Sequence, residues 1–459
     1  MRAGFCLLLL AAWLWSAAVA AQCPPTAPAE EATPRLLDCD RLSGGWNAAC
    51  KSLDDRGITL SAVSTNEVLG NPSGGTRQGV AFEGDLRVNL TINLEKAVGW
   101  CGATFHASDY EIYGRGLSAG NIGNLLAVSG FEATDSTRLY DLYLEQSLWG
   151  GKVSVRVGQF AADDEFIASE YAGLFVNSTF GWPGLAAIDL PSGGPSYPLA
   201  TPGVRIKAQI GDQLTLLGAV FDGNPAGPGS GDPQVRDASG TLFRVNDGVL
   251  VIAEAQYAIN QGDDAEGLPG TYRFGGWYNS ESFDDQHLDN LGLSLADPAS
   301  TGEPRQHRGD YSLYVVADQM VWRKPGSKDA GVGVFARVMG APGDRNLVNF
   351  YADAGVNWKG PFDVRSDDTI GVAVGYARIS DAARALDADT AFYTGTAFPI
   401  RSNETVLELT YQCQIAEWWN VQPDLQFVFN PGGGVLNPDK PGQRIGNAVV
   451  LALRSVINF

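Results

Sequence analysis

The 459-residue sequence lacks what several common classes of protein require. Beyond its N-terminal segment no uninterrupted apolar run approaches the ~20 residues of a membrane-spanning helix. There are only three histidines, His106, His287 and His307, spread without ligand spacing, and no CxxC pair, so no metal site is expected. A GxSxG elbow is absent too, and a triad base could come only from those histidines. No enzyme and no cofactor are therefore expected. Cations are outnumbered, Lys+Arg 32 against Asp+Glu 52, and the net charge of −20 repels phosphate backbones, which argues against a nucleic-acid partner. The loop Asp222 to Asp232 (DGNPAGPGSGD) has acids but neither EF-hand spacing nor a closing Glu, so it reads as a rigid turn.

What is present points elsewhere. Apolar residues make up 44%, too many for a disordered chain, and 56 glycines with 10% aromatics suit turns and interfacial girdles. Residues 1–21 read as a signal peptide: Arg2, an apolar stretch from Phe5 to Trp15, then Ala18-Val19-Ala20. Gln22 before Cys23 argues against lipidation. Export leaves Cys23, Cys39, Cys50, Cys101 and Cys413 in an oxidising compartment, where Cys39 and Cys50 are close enough to close a small loop. Residues 22–57 are expected to form an N-terminal periplasmic segment with a short helix. There Trp46, Cys50 and Leu53 make one apolar stripe and Gly57 a stop. That helix is either ordinary packing or a cap on a channel.

From Gly57 the hydrophobic period becomes two. In VAFEGDLRVNLTINLE (80–95), Val80, Phe82, Leu86, Val88, Leu90, Ile92 and Leu94 alternate with Glu83, Asp85, Arg87, Asn89, Thr91, Asn93 and Glu95. Such a run exceeds the usual strand of about 5–6 residues and suits a tilted membrane-crossing strand. The pattern recurs near 58–68, 80–95, 98–110, 138–149, 152–160, 202–210, 213–222, 249–259, 270–280, 309–322, 329–340, 347–358, 368–379, 403–415, 418–429 and 446–458. Two-residue connections at Lys96-Ala97, Gly150-Gly151, Gly211-Asp212 and Ala416-Glu417 alternate with long Gly-, Pro- and Asp-rich ones at 111–137, 161–201, 223–248, 281–308 and 380–402. The gap 260–269 is longer than this scheme expects and 341–346 shorter.

In hydrocarbon every backbone N–H and C=O must be paired, so strands cross a bilayer only as a closed barrel. The expected fold is all-β, a transmembrane antiparallel barrel of about sixteen strands over residues 58–459, with short turns inside and long loops outside. Apolar faces then meet outer-membrane lipids. Trp100, Trp149, Trp322, Trp358, Trp418 and Trp419 sit beside short turns, as an interfacial girdle requires. A terminal Phe459 on an amphipathic strand resembles the signal read by outer-membrane assembly machinery. Acidic stretches at 161–166, 261–266 and 281–289 are expected outside the membrane.

Several longer runs carry a family resemblance: FHASDYEIYGRGLSAGNIGNLL (105–126), VRVGQFAADDEF (155–166), NSTFGWPGL (177–185), LPSGGPSYPLATPGVRIK (190–207), FDGNPAGPGSGDPQ (221–234) and VQPDLQFVFNPGG (421–433). From about Trp46 to Phe459 the chain resembles the carbohydrate-selective porins of the OprB type. The resemblance implies a sixteen-stranded channel in the Gram-negative outer membrane that admits small sugars passively through a lumen lined by arginines and carboxylates. A general-diffusion or anion-selective porin is the alternative. A homo-oligomer is typical of many porins, but no pattern here fixes one.

A lumen that favours sugars needs donors and acceptors at one constriction. Alternation turns Glu83, Asp85 and Arg87 inward on the second strand, and Arg156 and Arg205 on later ones. The connection 161–201 starts with Asp163, Asp164 and Glu165 and continues through Phe166, Tyr171, Phe175, Phe180 and Trp182. Acids for sugar hydroxyls followed by rings for stacking make it the candidate constriction loop. Arg115 is expected to contribute from a neighbouring loop with Tyr110, Tyr113 and Asn121.

Overall fold

A computed structural model describes residues 52–262, 265 and 267–459. Sixteen antiparallel strands close into one barrel, each paired with its neighbours in sequence and the first with the last. They are β1 (Ile58–Gly75), β2 (Gly79–Asn93), β3 (Ala103–Gly114), β4 (Ser136–Leu148), β5 (Val153–Phe160), β6 (Thr201–Ile210), β7 (Leu214–Asp222) and β8 (Val249–Ile259). The second half holds β9 (Gly270–Asp289), β10 (Pro304–Arg323), β11 (Gly331–Gly340), β12 (Val348–Lys359), β13 (Thr369–Ile379), β14 (Asn403–Ala416), β15 (Trp419–Phe429) and β16 (Gly446–Asn458). Closure pairs Val63 with Asn458 and Glu67 with Arg454, which puts the start of β1 and the end of β16 on the side of the short turns.

Alternation explains the outer surface. Phe82, Ile206, Phe274, Leu313, Val356 and Leu453 are large apolar side chains left exposed, as a lipid-facing belt demands. Trp149, Trp322 and Trp358 are exposed at the short-turn end. The inner surface departs from the expected polar lining. Ile252, Trp277, Val316, Phe335, Tyr351 and Val406 point inward and are buried, because loop residues Phe166, Phe175, Phe180 and Leu185 pack on them in one cluster. Strands covered on both faces lose their alternation, and β11 (GVGVFARVMG) reads that way.

Local chemistry shapes the connections. The expected two-residue turn at Lys96-Ala97 is instead α1 (Leu94–Val98), because the Asn93 side chain accepts from the Lys96 N–H and Gly99 takes the left-handed conformation that ends it. The outer loops carry α2 (Ser178–Gly181), α3 (Gly184–Asp189), α4 (Pro233–Arg236) and α5 (Asp381–Thr394). Strands β9 and β10 reach 20 residues each, so the acids at 281–289 lie on a strand extension rather than in a loop. Residues 52–54 are helical. The rest of the expected N-terminal helix, and the Cys39–Cys50 pair, lie outside the described residues. Cys101 is disulfide-bonded and Cys413 is free.

Candidate functional site

The connection 161–200 folds into the barrel, and named side chains of the wall hold it there. Arg337 of β11 is fully buried, pairs with Asp353 of β12 at 2.6 Å, and donates to the carbonyls of Ile167, Thr179, Phe180 and Gly181. Those last three carbonyls close the C-terminal turn of α2, where a cation is favoured. Carboxylates take the loop's N–H groups. Glu254 accepts from Ile167 at 2.9 Å, Glu408 from Asn177 at 3.0 Å and from Val176, and the Ser169 hydroxyl donates to Asp318. Glycines let the rings approach: a Cβ on Gly333 would stand 2.3 Å from the Tyr171 ring, and one on Gly371 2.8 Å from Phe175. The 115–135 connection also turns inward, with Glu404 accepting from Leu125, Leu126 and Gly432.

The opposite arc, β2–β6, meets the start of this loop with charge. Arg205 donates to Glu165 at 2.6 Å and reaches Glu145 at 3.1 Å and the Ser154 hydroxyl. Arg156 pairs with Glu145 at 2.9 Å and lies 3.8 Å from Glu165, its guanidinium 4.2 Å from the Tyr143 ring centroid. Arg87 pairs with Asp85, and its guanidinium sits 4.6, 4.8 and 5.4 Å from the rings of Phe131, Tyr110 and Tyr197. Rings on one side and a carboxylate on another fix the plane of an arginine and leave its remaining N–H groups for a solute. Asp164 is exposed to the lumen and interacts electrostatically with both Arg87 and Arg156, so it links the two clusters.

Of the residues expected at the constriction, Arg87, Arg156, Asp163, Asp164, Glu165 and Arg205 come together here. Within that group Arg205 is only 1% exposed and acts as a brace beneath the carboxylates, whereas Arg87 keeps 28% of its side chain open. Asp163 is also a support: its carboxylate accepts from the Tyr197 N–H at 3.1 Å. Burial, with Asp164 beside it, pushes that carboxyl up to about 8. Three expectations need correction. Glu83 and Asp85 face inward but are 2% and 0% exposed, Glu83 beside Ser129 and Glu132 of the inward-turned 115–135 connection and Asp85 beside Arg87 and Thr65, so neither lines open lumen. Arg115 is exposed at the outer end of β3, where it donates to the Val80 carbonyl, away from the constriction.

Sequence reasoning missed Glu145, Tyr143, Phe131 and Tyr197, which orient the arginines, and Lys207, whose ammonium lies 3.9 Å from Glu165. Glu145 and Lys207 carried the same alternation signal as Arg156 and Arg205. Phe131 and Tyr197 carried none, since they reach the lumen from connections. His106, stacked on Tyr143 at 5.0 Å, bonds to Thr91.

Comparisons with known proteins agree with the barrel fold. The family model for the carbohydrate-selective porins of the OprB family matches residues 77–459. Porin B of Pseudomonas aeruginosa is 27% identical over 418 residues, covering 85% of this chain and 87% of that protein. The putative porin QuiX of Acinetobacter baylyi is 22% identical, covering 85% of this chain and 89% of its own. The high-pH structure of Pseudomonas putida OprB has a TM-score of 0.78 at 24% identity, over 91% of this chain and 97% of that one. It has the same fold.

Proposed function

The chain belongs to the OprB family of carbohydrate-selective porins, outer-membrane channels for sugars, and from that premise we propose which of its residues select the solute. The selecting group is the arc of Arg87, Arg156, Glu145, Asp164, Glu165 and Lys207, with Arg205 and Asp163 behind it. One observation carries this reading: two guanidiniums held against aromatic faces stand close to the start of the inward loop, where the exposed Asp164 lies within electrostatic reach of both. Donors and acceptors of fixed direction replace part of the water around a hydroxyl-rich solute. The opposing charges lie side by side, so they orient water and disfavour a bare ion, which has no second pole to satisfy both. Binding through a few such contacts stays weak enough for release. Fixed aromatic edges beside the arginines supply an apolar surface for a sugar ring.

Solute movement needs no chemistry in this scheme. The residues bind, orient and release, and the concentration gradient sets direction. Residues 58–459 act as one barrel unit, residues 22–57 as a periplasmic segment, and Phe459, whose N–H is bonded to the Ala62 carbonyl, as a contact for the assembly machinery. Liposome swelling with a panel of neutral sugars, sugar acids and chloride tests the reading. Monosaccharide entry should exceed that of ions of similar size, and Arg156→Ala should reduce it about tenfold, the loss expected for one charge-assisted hydrogen bond. Equal entry of all solutes, unchanged by Arg156→Ala, would favour a general-diffusion pore.

A further inference from the structure

Three oxygen atoms without a donor meet around the connection between β11 and β12, at the outer end of the barrel and away from the selecting arc. Asp310 of β10 is 0% exposed, and Asn346 in that connection is 1% exposed. The Asn346 amide donates to Asp310 Oδ1 at 2.9 Å and to the Pro342 carbonyl at 3.0 Å. Two acceptors on its nitrogen fix which way the amide points, and they leave Asn346 Oδ1 and Asp310 Oδ2 buried with no hydrogen bond. Asp189, the last residue of α3 on the inward loop, arrives at the same connection. Its Oδ1 accepts from the N–H groups of Leu347 at 3.1 Å and Val348 at 3.3 Å, next to Asn346 in the chain, and its Oδ2 is buried and unpartnered. Asp189 and Asp310 also act on each other electrostatically.

Such a group is unfavourable as it stands, because each buried acceptor lacks a partner and the two carboxylates repel. The neighbouring guanidinium does not relieve it. Arg345 acts on Asp310 electrostatically, but it is committed to the two Asp344 oxygens at 2.8 and 3.1 Å and to the Gly309 carbonyl at 2.6 Å. A shared proton or a single water would satisfy two of the oxygens and leave the third. A hard cation satisfies all three, since carboxylates and an amide oxygen, completed by water, are the ligand types calcium takes. No three His, Cys, Asp or Glu side chains gather as metal ligands among the described residues, and this group differs in joining two carboxylates to a neutral amide. Its members come from β10, α3 and the β11–β12 connection, so no spacing in the sequence shows them. We propose that Asp189, Asp310 and Asn346 form a binding site for a hard divalent cation of calcium's class, which ties the end of α3, and with it the inward loop, to the outer wall. This anchor is separate from Arg337, which holds α2.

Equilibrium dialysis with radioactive calcium tests this on the full mature chain, in detergent free of lipopolysaccharide, which binds calcium itself. About one calcium per chain should bind, with Kd on the order of 10⁻⁴–10⁻³ M, the range of extracellular sites. Asp310→Asn, which keeps the shape and removes the charge, and Asn346→Leu should each weaken binding at least about tenfold. Asp381→Asn, at an exposed acid of α5, should leave it unchanged. In the unaltered chain, proteolysis within 161–200 should be slower with calcium than with a chelator. Absence of stoichiometric binding by the unaltered chain overturns the proposal. So does equal binding by the double variant Asp189→Asn with Asp310→Asn when its strand content by circular dichroism is unchanged, because the calcium would then be held elsewhere.

Discussion

Two arcs of the inner wall use the same residue types for different work. On β2–β6, Arg87, Arg156 and Arg205 pair with Asp85, Glu145 and Glu165, and several of these groups keep an edge in the lumen. On β11–β15, Arg337, Glu404 and Glu408 also alternate inward, yet each is spent on loop backbone: four carbonyls for Arg337, three N–H groups for Glu404 and two for Glu408. The difference lies in what covers each arc. A carboxylate under a folded segment finds N–H donors that would otherwise be buried unpaired, and becomes an anchor. A carboxylate facing open lumen pairs with a neighbouring strand and remains available to a solute. In the proposed reading one arc selects the solute, and the other is the scaffold that aims the loop at it.

Breaking the scaffold should have the largest effect. Arg337→Met removes the only partner of a fully buried Asp353 carboxylate that is a cation among the described residues, and strands four carbonyls. Removing one partner of a buried pair costs about 3–5 kcal/mol. The loop should leave the wall without the barrel opening. Single-channel conductance should therefore rise severalfold, sugar block should vanish, and protease should cut within 161–200 while the barrel stays intact. Unchanged conductance would mean that Arg337 does not hold the loop.

The barrel was legible in the sequence because one physical constraint, apolar outward and polar inward, acts on nearly every strand. All sixteen strands lie where the period-two pattern puts them, and the longer 260–269 and shorter 341–346 connections are real. The inward fold of 161–201 was legible as well, since a barrel of this size would otherwise leave a wide aqueous channel, although its rings could also have packed on themselves in an outer loop. The division of labour between the arcs was not. Alternation assigns a face to Glu83, Glu145 and Glu408 alike, but says nothing of which loop covers that face. A clue was present in β11 and β14, where Phe335, Met339 and Val406 put apolar residues on the inward side and so marked the covered arc.

A smaller change should sharpen the selecting arc alone. Arg87→Lys keeps a cation near Asp85 but loses the planar fork and the contact with the rings of Tyr110, Phe131 and Tyr197. Sugar affinity, read from block of ion current, should fall about tenfold, equivalent to about 1.4 kcal/mol. Melting of the barrel should hardly move, because no loop anchor is touched. A large loss of stability with unaltered affinity would place Arg87 among the anchors instead.

The finest test uses pH, and the sign can be worked out. Asp163 lies at the start of the inward loop on the β2–β6 side, buried beside Asp164 and near Asp141 of β4, with the Tyr197 N–H its backbone donor from the far end of the loop. Its carboxyl titrates at about 8, against about 4 for a free aspartate. The folded state therefore holds a proton that the unfolded chain has lost between those values. This group's contribution to stability is greatest below about pH 4, falls as pH rises, and is gone above about 8. Ionisation adds a negative charge next to Asp164 without disturbing Arg337 or Glu408. Between pH 6 and pH 9 the preference for potassium over chloride, read from reversal potentials, should therefore rise roughly twofold. Asp163→Asn should flatten that curve while leaving loop proteolysis as it was. If the curve persists in Asp163→Asn, the charge that tunes the constriction belongs to another group of the selecting arc, and Asp163 acts only in holding Tyr197.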